Sequence, residues 1–324
     1  MTEAQHTTIL IPGWMNDHTA ERLDKTYRVL RIDSADAALL PAREVAKIRG
    51  IASAGRIDSR FIDALPALEI IAHYGVGYDA VDSRHAAARG VVVTNTPDVL
   101  TEEVADTALG LLINTVRELP KAEAFVRAGK WVGDDEYPPS RLTLRERKVG
   151  IFGLGRIGLA VARRVEAFGL PVSYHNRSRV EGVSYAYHAS LLELAEAVDT
   201  LISVAPGTPA TDKAVNREVL AALGSDGVFI NIGRGSTVDE EALIAALVDG
   251  TIAAAGLDVF ASEPDVPQAL LDLPNVCVLP HLGAASVHTR RAMGNLVADN
   301  LDQWFRVGAA KTPVPECVAV AGRG

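Results

Sequence analysis

Two cysteines in 324 residues, Cys277 and Cys317, are too few and too widely spaced for a disulfide framework, a zinc site or a redox pair. They suit a reducing compartment, as buried or inert residues. The eight histidines form no His-x-x-x-His set, so no metal is expected. No apolar stretch reaches the roughly 18 residues of a membrane span. Met1-Thr2-Glu3-Ala4-Gln5-His6 lacks the basic start and apolar core of a signal peptide, and a cytoplasmic location is expected. Basic charge is also in deficit. Thirty-two Lys and Arg face 41 Asp and Glu, a formal charge of −9, which argues against nucleic acid or an anionic membrane as the main partner. Repeats, low-complexity segments and long charge runs are missing as well.

What the chain does have is apolar residues, 48 % of the total, enough for cores in the two domains that its length suggests at about 150 residues each. Buried-strand candidates in the first hundred residues are Thr8 to Ile11, Tyr27 to Ile32, Lys47 to Ala52, Glu69 to His73 and Val91 to Thr94. Helical stretches around Arg60 to Leu65 and Ser83 to Ala88 lie between them, an alternation that indicates a parallel sheet. Thr101 reads as the cap of a helix reaching Arg117, with Glu102 and Glu103 favouring its first turn. That helix is apolar on several faces, so it is expected to be buried between domains or against another subunit. A second helix is expected over Lys121 to Trp131, then a loop over Gly133 to Ser140. Further strands are expected at Val172 to His175, Thr200 to Val204, Val228 to Ile232, Ala254 to Asp258 and Val276 to Leu279. Asp239 caps a helix ended by Gly250, and a last helix spans Val287 to Phe305.

The segment Gly153-Leu154-Gly155-Arg156-Ile157-Gly158 is a Gly-x-Gly-x-x-Gly loop. Lys148 to Phe152 precedes it as a strand, and a helix follows with Ile157, Val161, Val165 and Phe168 on one face. This is the context a dinucleotide fingerprint requires. The first glycine makes the tight turn, the second admits the pyrophosphate and the third lets helix and strand pack closely. The alternative is an ordinary Gly-rich turn. In NAD-binding units an acid about 20 positions on holds the ribose 2′-hydroxyl. Here the second strand ends in Tyr174-His175-Asn176-Arg177-Ser178-Arg179, with two arginines and no acid. A guanidinium pairs well with a 2′-phosphate, so NADPH is favoured over NADH. The alternative is a solvated basic turn.

Ligands of open parallel sheets sit beyond the carboxyl ends of the strands. Arg234, Glu263 and His281 all follow strands in that way. A 2-oxo acid needs a cation to hold its carboxylate and polarise its carbonyl, a proton donor for the developing alkoxide, and a group that keeps the donor protonated. Arginine, histidine and carboxylate suit those roles in turn. Singly, Arg234 reads equally as a turn residue, Glu263 as a loop charge and His281 as a histidine near the core; together they favour a site. In His73-Tyr74-Gly75-Val76-Gly77-Tyr78-Asp79 the N–H groups of Val76 and Gly77 could bind a carboxylate as a nest, or the segment could be a structural turn. Ser53 and Tyr74 are placed on the side-chain end of the substrate.

These motifs, with Asn95-Thr96-Pro97, Asn231-Ile232-Gly233-Arg234-Gly235, Gly256-Leu257-Asp258-Val259-Phe260, Glu263-Pro264 and Leu279-Pro280-His281, resemble the D-isomer-specific 2-hydroxyacid dehydrogenases over nearly the whole chain. Gly155 to Ala162 and Val238-Asp239-Glu240 resemble the glyoxylate/hydroxypyruvate reductase branch, which includes plant-type hydroxyphenylpyruvate reductases. The resemblance implies Arg234, Glu263 and His281 as the catalytic set, His281 being the proton donor. It implies that Val76 and Gly77 bind the substrate carboxylate; Tyr74, Gly75, Arg234 and His281 are expected substrate contacts as well. It implies cofactor contacts at Gly153, Leu154, Gly155, Arg156, Ile157, Gly158, Asn176, Arg177, Ser178, Arg179, Val204, Ala205, Pro206, Thr211, Ile232, Asp258 and Gly283.

The fold implied is α/β, two Rossmann-like or flavodoxin-like domains with parallel sheets. A coenzyme domain (101–286, with a dimerisation arm at 101–147) is inserted into a substrate domain (1–100 and 287–324). A homodimer is implied, with no C-terminal regulatory domain. The expected function is NADPH-preferring reduction of glyoxylate or hydroxypyruvate to the D-2-hydroxy acid. Bulkier acids, such as hydroxyphenylpyruvate or sugar-derived 2-oxo acids, are the alternative. A dinucleotide-sensing protein like the corepressors of this fold is a remote one, since fold alone does not decide function.

Overall fold

The computed structural model describes residues 7–133 and 136–322. Met1 to His6, on which the signal-peptide expectation rests, and Asp134-Asp135 of the loop expected after Gly133 lie outside the described residues. The chain divides into two compact units, 1–100 with 286–324, and 101–285.

In the first unit the order is β1 (Thr8–Pro12), α1 (Asp17–Thr26), β2 (Arg28–Ile32), β3 (Ile48–Ser53), α2 (Ser59–Asp63), β4 (Ile70–His73), α3 (Ser83–Ala88) and β5 (Val92–Thr94). The strands form one parallel sheet in the order β2-β1-β3-β4-β5. β1 and β3 are fully buried along their length apart from Arg49, which explains their near-continuous apolar runs. Asp58 and Asp82 cap α2 and α3 by accepting the Phe61 and His85 N–H groups. These short helices have no propensity to spare, and the caps satisfy otherwise orphaned donors.

The second unit opens with α4 (Thr101–Arg117) and α5 (Leu119–Arg127). There follow β6 (Val149–Phe152), α6 (Arg156–Ala167), β7 (Val172–His175), β8 (Ala186–His188), α7 (Leu191–Ala197) and β9 (Thr200–Ser203). Then come α8 (Arg217–Leu223), β10 (Val228–Asn231), α9 (Glu240–Val248), β11 (Ala254–Leu257), α10 (Gln268–Leu271) and β12 (Val276–Val278). Its sheet is parallel, ordered β12-β11-β10-β9-β6-β7-β8, the doubly wound arrangement whose strand order reverses between β6 and β9. Arg147, 6 % exposed, ties together the loops that lead into the central strands β6, β9 and β10 through the Thr143, Asp199 and Asp226 carbonyls and the Asp199 carboxylate. A buried guanidinium is tolerated because its donors are matched in this way. The chain then returns to the first unit as α11 (Val287–Val307). Val297, Leu301 and Trp304 of α11 join the core formed by β1, β3 and β4.

Several expectations differ in detail. Thr101 lies inside α4 as its first residue and is not its cap. The helix expected over Lys121 to Trp131 ends at Arg127, two residues ahead of Gly129, whose φ is +65°. Phe168 does not complete the buried face of α6. It caps the helix and is 46 % exposed, while Ala160, Val161, Ala162 and Val165 are buried. α4 packs against α6, β10 and β11 of its own unit, so its apolar faces are accounted for there. The close approach is visible at Gly256, where a β-carbon would lie 2.5 Å from Thr115 Oγ1 and 2.9 Å from Leu111 Cγ. Strand β8 had no counterpart in the sequence pattern. Among the described residues no helix is long and apolar enough to cross a membrane, and no group of His, Cys, Asp and Glu could hold a metal ion.

Candidate active site

The Gly-rich loop joins β6 to α6 at the point where the strand order reverses. Gly153 has φ +100°, a conformation that disfavours any side chain. A β-carbon there would also sit 2.8 Å from the Ala205 nitrogen. At Gly158 a β-carbon would lie 2.3 Å from the Gly153 carbonyl oxygen, so the first turn of α6 packs directly onto the loop. Gly155, the N-cap of α6, is exposed, and a β-carbon there would meet nothing within 4 Å. Two glycines are needed for internal packing, and the middle one leaves an open approach to the helix N-terminus. That geometry fits a pyrophosphate.

Beyond β7, Arg177, Ser178 and Arg179 are exposed. The turn that carries them is held from inside: the Tyr174 hydroxyl accepts the Val180 N–H at 2.9 Å, and the Tyr187 hydroxyl donates to the Asn176 carbonyl. Asn176 is engaged differently from its neighbours. Its Oδ1 accepts the Leu154 N–H at 2.6 Å and its Nδ2 donates to the Leu154 carbonyl at 3.3 Å. Around the loop, Ala205 and Ile232 are buried, and Val204 is partly so. Thr211 folds the segment after β9 by donating to the Pro206 carbonyl at 2.6 Å.

The end of β10 carries Arg234 on a turn shaped by Asn231. Asn231 Oδ1 accepts the Gly233 N–H and its Nδ2 donates to the Arg234 carbonyl. The Thr237 hydroxyl donates to the same carbonyl at 2.7 Å, and Arg234 Nη1 donates to the Gly233 carbonyl. No side chain fits at Gly235, where a β-carbon would fall 1.9 Å from the Phe260 carbonyl. The Arg234 turn is thereby pressed against the strand end that carries Glu263.

Glu263 Oε2 lies 2.7 Å from His281 Nδ1, and Glu263 Oε1 accepts the Phe260 N–H at 3.0 Å. His281 itself has φ +51°, an uncommon conformation for a residue with a side chain. It is held there because its N–H donates to the Asp258 carbonyl, while the Asp258 carboxylate accepts the Leu282 and Gly283 N–H groups at 2.7 and 2.9 Å. The hydrogen bond with Glu263 raises the His281 pKa above the ordinary imidazole value. Burial and the Arg234 charge oppose that rise without cancelling it. Burial would lift Glu263, but the bonds from His281 and Phe260 outweigh it and hold the carboxyl below its usual range. Burial raises Asp258 despite its two N–H donors. The arrangement offers an imidazole that holds its proton more tightly than usual, with Nε2 making no hydrogen bond among the described residues, and a guanidinium whose field reaches both partners.

In the first unit the segment after β4 is braced rather than loose. The Tyr74 N–H donates to the Ser53 carbonyl at 2.7 Å, the Thr96 N–H donates to the Gly75 carbonyl, and Asn95 Nδ2 donates to the Val76 carbonyl at 2.8 Å. The N–H groups of Val76 and Gly77 make no hydrogen bond among the described residues. Tyr74 donates its hydroxyl to the Arg290 carbonyl, and its ring forms a T-shaped pair with Trp14, 5.8 Å between centroids. Ser53 departs from the expected lining role. It is fully buried, and its hydroxyl closes a local turn with both the N–H and the carbonyl of Gly55. Asn95 carried no assigned role in the sequence, although its motif was visible there. Its amide now accounts for the shape of the Val76 loop.

The family described as D-isomer specific 2-hydroxyacid dehydrogenase, NAD binding domain, matches residues 109–283. A hydroxyphenylpyruvate reductase of Plectranthus scutellarioides is 44 % identical over 93 % of this chain and 96 % of its own. A glyoxylate/hydroxypyruvate reductase of Arabidopsis thaliana is 42 % identical over 93 % and 96 %. The crystal structure of an NADPH-dependent glyoxylate/hydroxypyruvate reductase of Sinorhizobium meliloti, in complex with NADP and malonate, superposes with a TM-score of 0.95. It is 57 % identical and covers 98 % of this chain and 99 % of the other. The chain therefore belongs to the D-isomer-specific 2-hydroxyacid dehydrogenase family.

Proposed function

We propose that this protein reduces small 2-oxo acids, glyoxylate and hydroxypyruvate foremost, to D-2-hydroxy acids with NADPH. The observation that carries the reading is the 2.7 Å Glu263–His281 pair beside Arg234, in the same unit as a Gly-rich loop followed by two solvated arginines. When bound, NADPH supplies the hydride that reaches C2. The backbone of the loop and Arg156 receive the pyrophosphate, and Arg177, Ser178 and Arg179 receive the 2′-phosphate through charge-assisted bonds. Val76 and Gly77 bind the substrate carboxylate through their N–H groups. Arg234 orients the substrate and polarises the C2 carbonyl. His281 Nε2 gives its proton to the developing alkoxide, and Glu263 keeps the imidazolium formed until then. The S. meliloti relative is named for the same cofactor and substrates, which supports the reading.

Substitution of His281 by Ala tests it. General acid catalysis is worth about 10²–10⁴-fold, so kcat is expected to fall by that factor while NADPH still binds. Unchanged turnover refutes the assignment.

A cavity of about 380 Å³ favours a second, broader substrate range. It lies in the first unit beyond the carboxyl ends of β1, β2 and β3, lined in part by Trp14, Asp33, Ser34, Arg56 and Asp58. Two strand spacings, about 10 Å, separate β1 from the Val76 loop after β4, more than a two-carbon acid needs. An indole with both charges nearby suits the distal part of an aryl or polyhydroxylated 2-oxo acid. We also propose a homodimer formed through α5 and its continuation, where Val126, Trp131 and Val132 are 53 %, 67 % and 59 % exposed. Exposed apolar surface of that density marks an association site.

A further inference from the structure

NAD-binding units carry an acid at the end of this strand; here His175 and Asn176 stand there, and the Asn176 amide is turned toward the protein. Leu154 offers it one donor and one acceptor, and the carboxamide meets both. This pair continues the β6–β7 ladder past its last strand register, Phe152 with His175, and past the Gly153 N–H donating to the His175 carbonyl at 3.0 Å. The backbone carbonyl of Asn176 is in turn held by the Tyr187 hydroxyl.

We propose that Asn176 is a positioning residue that clamps the Gly-rich loop, and that it makes no direct contact with the adenine ribose. The inference rests on the dinucleotide reading above. The clamp fixes the Leu154 peptide, and with it the direction of the N–H groups that follow at the start of α6. It also joins the two phosphate-binding elements physically: residues 154–157 on one side and the turn at 177–179 on the other. A carboxylate cannot replace it. Ionised aspartate accepts from Leu154 N–H but opposes an oxygen to the Leu154 carbonyl, since it has no donor. Simple acid substitution, the change expected to favour NADH, therefore loosens the loop on which every dinucleotide depends.

The test compares wild type, Asn176→Ala, Asn176→Asp and Arg177→Ala. Binding of NADPH, NADH, adenosine diphosphoribose and adenosine 2′-monophosphate is measured by calorimetry, alongside the melting temperature of each free protein. Two lost neutral hydrogen bonds correspond to about tenfold or somewhat more in affinity. Asn176→Ala is expected to weaken NADPH, NADH and adenosine diphosphoribose by a similar factor and to leave adenosine 2′-monophosphate nearly unchanged. Asn176→Asp is expected to bind NADH no better than wild type. Arg177→Ala is expected to show the converse pattern, losing the two 2′-phosphate ligands only. Equal binding of pyrophosphate ligands by wild type and Asn176→Ala overturns the clamp, as does tighter NADH binding by Asn176→Asp, and either leaves the NADPH reading standing. Failure of wild type to bind any dinucleotide overturns both.

Discussion

Replacing Glu263 by Gln isolates the role given to the carboxylate, which is to keep the proton on His281. The Nδ1 to Oε2 separation of 2.7 Å is that of a charge-assisted bond, and bonds to charged groups contribute about 1.5–3 kcal/mol. The His281 and Glu263 side chains remain 50 % and 34 % exposed, so solvent screens part of the interaction and the lower figure, about 1.5 kcal/mol, applies. At 1.36 kcal/mol per decade this is about a tenfold loss. Its dependence on pH has a definite sign. The His281 pKa is raised by Glu263, so the protonated form needed for reduction persists above the ordinary imidazole value and is lost as pH rises through the raised one. In the Gln variant the Arg234 charge, which lowers the imidazole pKa, is opposed only by the smaller influence of Asp258. The falling limb of reductive kcat/KM then moves to lower pH. Above the raised pKa the loss approaches about tenfold, and at lower pH, where His281 is protonated in both proteins, the two profiles converge. Oxidation of the hydroxy acid, which needs neutral His281, shifts its rising limb the same way. Initial rates of glyoxylate reduction across the pH range measure this. A pH-independent loss, or a limb displaced upward, refutes the reasoning.

Gly158→Ala places a β-carbon 2.3 Å from the Gly153 carbonyl oxygen, where backbone must yield. Overpacking of this kind costs about 1–3 kcal/mol, so thermal melting is expected to drop by several degrees and NADPH to bind more weakly; an unchanged Tm contradicts the close packing of loop and helix. Trp131→Asp in the exposed apolar surface after α5 is expected to give a monomer in light scattering, whereas a dimer of unchanged stability moves the interface elsewhere.

Much of this site was legible because its physics is local. A Gly-x-Gly-x-x-Gly loop between an apolar strand and a helix is specified within a dozen residues. Arg234, Glu263 and His281 are each placed by the strand they follow. Strand β8, Ala186–His188, escaped notice because it is three residues long at the sheet edge, with no fully buried position. Phe168 matched the helical spacing of α6, but the helix stops one residue before it. The amide groups were the least readable. Asn95, Asn176 and Asn231 each serve by gripping a backbone carbonyl, and for Asn176 and Asn231 a backbone N–H as well. Nothing in residue type or spacing reveals which peptide an amide will meet. Asn176 lies in the segment expected to meet the cofactor, yet its side chain faces the loop. Ser53 ends β3, yet its hydroxyl is spent on Gly55.

The central claim is NADPH-dependent reduction of a small 2-oxo acid, and steady-state kcat/KM for glyoxylate and hydroxypyruvate with NADPH and with NADH tests it most directly. Arg177 and Arg179 follow a strand end that lacks the acid that would serve NADH, so NADPH is predicted to be the better reductant with both acids, and Arg177→Ala is predicted to narrow the difference by weakening NADPH alone. A preference for NADH, or turnover of neither acid with either cofactor, would contradict the account.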